Sequence, residues 1–254
     1  MMKNTLNKNP RGMLIFALDV GKGIEEAMTW VKRLRDHLEI FKVGKESYTR
    51  YGPCIVEKIR ESGKKVFLDL KFHDIPNTVA GAAVGAVEQG VHMFNVHALG
   101  GREMLEKTVA AVNRAAQDTA LPPPIILAVT VLTSLNDIDL KQMGFNSSAS
   151  ELTVLLAKLA KDAGVSGVVA SAHDIANIRR ACGNDFIIVT PGIREAVPAN
   201  DDQKRISTVR DAIKAGADYI VVGRPIRQAA DPVQRVEEII SEITEGLAMR
   251  ERVV

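Results

Sequence analysis

Eight times along the chain, a short apolar run of strand length gives way to a stretch whose apolar residues recur at helical spacing. The runs cover 14–20, 40–44, 66–71, 93–98, 125–131, 167–170, 186–190 and 219–223. The helices that follow are predicted over 24–38, 48–61, 78–89, 102–117, 150–163, 173–181, 207–215 and 232–247. Strands separated by helices pair in parallel. Eight such units in a chain of about 250 residues are what closure into a barrel requires. The predicted class is therefore α/β, a (β/α)8 TIM barrel. An open doubly wound sheet would carry a GxGxxG turn after the first strand, and none is present. No linker-like break interrupts the alternation, so residues 13–254 are read as one catalytic barrel and the polar, basic stretch 1–12 as a loose leader.

The third run carries the densest charge. It reads Phe67-Leu68-Asp69-Leu70-Lys71-Phe72-His73-Asp74-Ile75-Pro76-Asn77-Thr78. Residues two apart on a strand share a face. Asp69 and Lys71 are thus expected on one side, Leu68 and Leu70 on the other. Asp74 comes where the strand turns, Pro76 ends any ladder, and Asn77 or Thr78 is placed to cap the next helix. Buried charges cost free energy unless paired, so Asp69, Lys71 and Asp74 are expected to converge, with Lys42 one strand away. At an effective dielectric of 20, unit charges 4 Å apart interact by about 4 kcal/mol. Flanking carboxylates keep Lys71 protonated, which suits a proton donor rather than a Schiff-base amine. Asp69 and Asp74 as Mg²⁺ ligands is the alternative, but Lys71 between them already fills the cationic role.

Charge and cysteine content narrow the partners. Lys and Arg number 33 against 31 Asp and Glu, a net charge of +2, which gives no global pull toward nucleic acid or a membrane surface. The two cysteines, Cys54 and Cys182, have no metal-ligand spacing and make no disulfide framework, which fits a reducing cytoplasm. The apolar run 13–18 stops at Asp19, too short for a signal-peptide core or a membrane span.

The active site of such a barrel lies at the C-terminal ends of its strands. Those ends collect Asp19, Lys42, Asp69, Lys71, Asp74, His97, Thr133, Arg194 and Arg224. Taken singly, each has a structural reading. Asp19 can cap the next helix, Lys42 can snorkel to solvent, and His97 can be a satisfied core residue. Thr133 and Ser134 can be turn hydroxyls, and Arg194 and Arg224 surface ion-pair partners. The two arginines, however, follow the seventh and eighth strands beside Gly and Pro, where this fold often binds phosphate. The planar guanidinium fork suits a phosphate, and Gly223 lets backbone N–H groups approach it.

The segment Asp69-Leu70-Lys71-Phe72-His73-Asp74-Ile75-Pro76-Asn77-Thr78 resembles the signature of bacterial orotidine 5′-phosphate decarboxylases. Further segments are similar to that family in the same order. They are Ala17-Leu18-Asp19, Lys42-Val43-Gly44-Lys45-Glu46, Asn95-Val96-His97-Ala98, Ala128-Val129-Thr130-Val131-Leu132-Thr133-Ser134, Thr190-Pro191-Gly192-Ile193-Arg194 and Val222-Gly223-Arg224-Pro225. The resemblance implies conversion of orotidine 5′-phosphate to UMP and CO₂, the last step of UMP synthesis, with no cofactor and no metal. It implies that Lys71 protonates C6, that Asp69 faces the substrate carboxylate, and that Lys42 holds the charged network and contacts the ribose. Asp19 would bind a ribose hydroxyl, Thr133 the pyrimidine, and Arg194, Gly223 and Arg224 the phosphate, with Pro191 lining that end. Gln203 would bridge phosphate and base. Asp74 and Thr78 would reach into the partner subunit's site, making the functional unit a homodimer with shared active sites. A Mg²⁺-dependent sugar-phosphate decarboxylase or synthase on the same barrel, and a non-catalytic nucleotide-binding barrel, are the competing functions.

Overall fold

The structure, a computed structural model, describes residues 9–21, 23–191 and 208–251. Its strands are β1 Leu14–Ala17, β2 Ile40–Gly44, β3 Lys65–Phe72, β4 Met93–His97, β5 Ile125–Val129, β6 Gly167–Val169, β7 Ile187–Pro191 and β8 Tyr219–Val222. They are ordered β1 to β8 and close into a parallel barrel, with Leu14 of β1 opposite Ile220 of β8. The expected (β/α)8 architecture is the one found. Several strands are buried along their whole length, which is why they read as unbroken apolar runs rather than as alternating ones.

By internal contacts the chain divides into two compact units, Met1–Val66 with Val189–Val254, and Phe67–Ile188. In the first, the Phe16 ring lies 5.6 Å from Trp30 and 6.2 Å, edge-on, from Phe41. In the second, Phe72 and Phe94 pack at 6.0 Å. Aromatic pairs at such separations add to the free energy of burial.

Three expectations about elements are corrected. The helix predicted over 48–61 is two, Lys45–Tyr51 and Cys54–Glu61. Pro53 disfavours helical geometry in the residue before it, and Gly52 turns the chain at φ 60°. The polar stretch 135–149 contains a helix, Asp137–Gln142, started by a reciprocal cap between Asn136 and Asp139. The helix after β3 begins at Pro76, so neither Asn77 nor Thr78 is its cap.

Residues 9–12, expected to belong to a loose leader, are part of the folded chain. Asn9 caps a helical turn, Pro10–Met13. Arg11 donates from both Nη atoms to Glu237, at 2.9 Å each, and from Nη1 to the His37 carbonyl at 3.0 Å. A partner 226 residues away leaves no local trace in sequence. The Glu237 carboxyl is held below its ordinary range, chiefly by its hydrogen bond with His37, against an opposing effect of burial, and further by Arg11. A depressed carboxyl stabilises the fold above its unfolded pKa, and that contribution is lost as pH falls through the folded value. Glu237→Gln is therefore expected to lower the melting temperature at pH 7 and to lower it progressively less as the pH falls below about 4.5. Parallel melting curves at pH 7 and pH 3 check this.

Candidate active site

In the second unit the site is built at the end of β3. Pairing with β4 runs Phe67 to Met93 and Leu68 to Phe94, then resumes at Phe72 with Val96. Four residue steps of β3 therefore span what two steps of β4 span, and the excess is a bulge around Asp69–Lys71. Lys71 sits in it at φ 52°, in the left-handed region. That conformation costs a non-glycine residue roughly 1–2 kcal/mol. Lys71 Nζ meets Asp69 Oδ1 at 2.6 Å. The two expected partners do meet, but through a bulge rather than through the plain alternation of a strand. Asp69 is buried at 8% exposure, whereas the Lys71 side chain remains 27% accessible. The ammonium is thus paired at its base and open to a reacting atom.

Asp74 lies apart from that pair. Its Oδ1 accepts from Ile75 N at 2.6 Å, the residue is exposed, and no ion pair joins it to Lys71 among the described residues. Thr78, in the first turn of the helix Pro76–Glu88, is also exposed. Thr133 and Ser134 follow β5 on an exposed loop. His97 ends β4, its ring 5.3 Å from that of His73.

In the first unit, Lys42 is buried in β2 at 8% exposure, so it does not snorkel. Its Nζ lies 3.3 and 3.4 Å from the two carboxylate oxygens of Asp19. Asp19 is not a helix cap, because Gly23 occupies that position before the helix Ile24–Leu34. The Asp19 main chain is fixed on both sides. Ser47 Oγ donates to the Leu18 carbonyl at 2.8 Å, and Arg227 Nη1 donates to the Asp19 carbonyl at 2.7 Å. Arg227 ends a four-residue helix, Arg224–Arg227, whose N-cap position is Gly223, directly after β8. Gly223 packs so that a Cβ there would stand 3.1 Å from Ala17 Cβ. Arg224 is exposed, and Pro191 closes β7 opposite Val221. Arg194 and Gln203 lie outside the described residues.

The sequence model of the Orotidine 5′-phosphate decarboxylase / HUMPS family matches residues 12–239. The chain belongs to this family. An orotidine 5′-phosphate decarboxylase of Syntrophus aciditrophicus (strain SB) is 57% identical over 251 residues, which is 98% of this chain and 100% of that one. The orotidine 5′-phosphate decarboxylase of Geotalea daltonii is 50% identical, over 93% of this chain and 98% of its own. Among solved structures, orotidine 5′-phosphate decarboxylase from Lactobacillus acidophilus superimposes with a TM-score of 0.80 at 36% identity, over 92% of this chain and 99% of that one.

Three residues that contact the expected site groups or their main chain were not among those expected from sequence. Asn95 on β4 is fully buried; its Nδ2 donates to Asp69 Oδ1 and its Oδ1 accepts from Lys71 N, both at 2.7 Å. A carboxamide inside a buried strand is a signal in itself, since buried polar groups need partners. Arg227 is the second, and nothing local marks it. Gly44 is the third. A Cβ there would stand 2.6 Å from Asp19 Oδ1 and 3.1 Å from Lys42 Nζ. Gly44→Ala is expected to push the short Asp19 side chain off Lys42. The expected outcome is a loss of about tenfold or more in kcat/KM for the family reaction with little change in melting temperature. An undiminished kcat/KM would show that the pair can shift at no cost.

Proposed function

We propose that the chain decarboxylates orotidine 5′-phosphate to UMP and CO₂ without a metal or an organic cofactor, as a carboxy-lyase. The observation that carries this reading is the 2.6 Å ion pair of Lys71 with a buried Asp69 at the end of β3. Names borne by relatives at 57% and 50% identity support it. When the C6 carboxylate leaves as CO₂, the bonding electrons remain on C6. A fixed ammonium stabilises the charge as it develops and then supplies the proton that completes UMP. Lys71 recovers its proton from solvent. Asp69, held in place by Asn95, holds that ammonium in position and faces the carboxylate that departs.

The second half of the reading concerns the rest of the substrate. The Lys42–Asp19 pair would hold the ribose, and Arg224, Gly223, Pro191, Arg194 and Gln203 the phosphate. Thr133 would contact the pyrimidine. Phosphate binding far from C6 secures the substrate without touching the chemistry. Arg224→Ala is expected to weaken UMP binding by roughly 2–3 kcal/mol, as for loss of a charge-assisted contact. An unchanged UMP dissociation constant by calorimetry would remove Arg224 from the phosphate site.

Asp74 and Thr78 would act in the site of a second copy, in a cytoplasmic homodimer. Their exposure, and that of Ile75 between them at 68%, supports a role outside their own chain. No helix among the described residues is long and apolar enough to cross a membrane.

The test of function is product identification. Purified protein with orotidine 5′-phosphate should convert the pyrimidine absorbance to that of UMP and release one CO₂ per UMP. No conversion, with Mg²⁺-dependent turnover of a sugar phosphate instead, would move the chain to the metal-dependent reading.

A further inference from the structure

We propose that Asn95 is a positioning residue for the acid–base pair, setting both the main chain of Lys71 and the carboxylate of Asp69 with one carboxamide. This inference rests on the decarboxylase reading. The bulge in β3 takes the Lys71 N–H out of register with β4 and places Lys71 at φ 52°. A buried N–H left without an acceptor would cost free energy, and the left-handed conformation costs more. Asn95 Oδ1 offers the acceptor at 2.7 Å and so holds the conformation in place.

The same side chain then fixes the acid. Its Nδ2 lies 2.7 Å from Asp69 Oδ1, the oxygen that also accepts from Lys71 Nζ at 2.6 Å. The orientation of the amide follows from chemistry, since Lys71 N can only donate and a carboxylate accepts. Two donors on one oxygen favour the ionised form of Asp69. Asn95 itself is fully buried in β4, so its position does not depend on solvent or on a mobile side chain. It touches neither C6 nor the departing carboxylate in this scheme; it acts through Asp69 and Lys71.

The experiment compares wild type, Asn95→Ala and Asn95→Asp on orotidine 5′-phosphate, as kcat, KM and the pH profile of kcat. The first variant removes both hydrogen bonds. The second keeps an acceptor for Lys71 N but replaces the donor to Asp69 with a second carboxylate. For Asn95→Ala, kcat should fall about 100-fold with KM and UMP affinity within about threefold. In both variants the ascending, acid limb of the pH profile should move up by about one unit, because Asp69 has lost a donor. A smaller folded fraction lowers kcat but leaves the shape of the profile unchanged. If Asn95→Ala does not fold, Asn95→Asp, which conserves volume, carries the same test of the limb. Wild-type turnover with an unmoved acid limb in the folded variants overturns the Asn95 assignment alone. Absence of wild-type turnover overturns the decarboxylase reading on which it rests.

Discussion

Lys71→Ala is expected to abolish measurable decarboxylation, a loss of about 10⁴-fold or more, while UMP still binds and the protein still folds. Two effects disappear together: the fixed cation beside C6 and the proton that replaces CO₂. Neither is needed to bind product, so UMP affinity should stay within about tenfold. The fold should survive because the Lys71 side chain is 27% exposed at the end of β3. Asp69 loses one donor but keeps Asn95. The left-handed main chain at position 71 is no worse for Ala than for Lys. Turnover, UMP titration and a melting curve on one preparation separate these effects. Retained turnover would take the proton donor away from Lys71.

Gly167→Ala is expected to produce the largest stability loss of the glycine-to-alanine substitutions in the second unit. Gly167 lies in β6, and a Cβ there would overlap the carbonyl oxygen of Ile187 and stand 2.6 Å from Ile187 Cβ. Ile187 N also donates to the Ser166 carbonyl at 3.1 Å, so its main chain is not free to retreat. Overpacking of this kind costs typically 1–3 kcal/mol and at times more. For a protein of this size that corresponds to a fall of roughly 2–12 °C in melting temperature. Thermal and urea unfolding measure it, and a melting temperature within a degree of wild type would mean that β6 and β7 separate more easily than their packing indicates.

The barrel was legible because its evidence is local and repeated. Each strand is a buried apolar run, and each helix shows its own periodicity, so errors of a few residues at the ends, as at 14–20 against Leu14–Ala17, do not change the topology. Misreadings arose where a short-range signal was weighed too lightly. Gly52-Pro53 splits a predicted helix, and the Asn136/Asp139 cap starts one in a polar stretch for which no helix was predicted.

The candidate site was legible in residue type more than in geometry. Alternation put Asp69 and Lys71 side by side for a reason that the bulge replaces, and the need to pair charge drew Asp74 toward them although Asp74 points its carboxylate to Ile75 N. A bulge is a property of two strands in register, and no single strand's pattern reveals it. Arg227 is 208 residues from the carbonyl it holds, and Gly44 matters through an atom it lacks. Such roles exist only once the chain is folded. Asn95 is the intermediate case, conspicuous as a polar residue in a buried strand but silent about which groups it would serve.

The most direct measurement is kcat/KM for orotidine 5′-phosphate after exhaustive removal of divalent cations, with excess EDTA in the assay, against the same protein in millimolar Mg²⁺. If Lys71 and Asp69 carry the reaction through their own charges, the two values should agree within experimental error. A value that collapses under the chelator and returns with Mg²⁺ would contradict this account and recast Asp69 as a ligand rather than as the partner of Lys71.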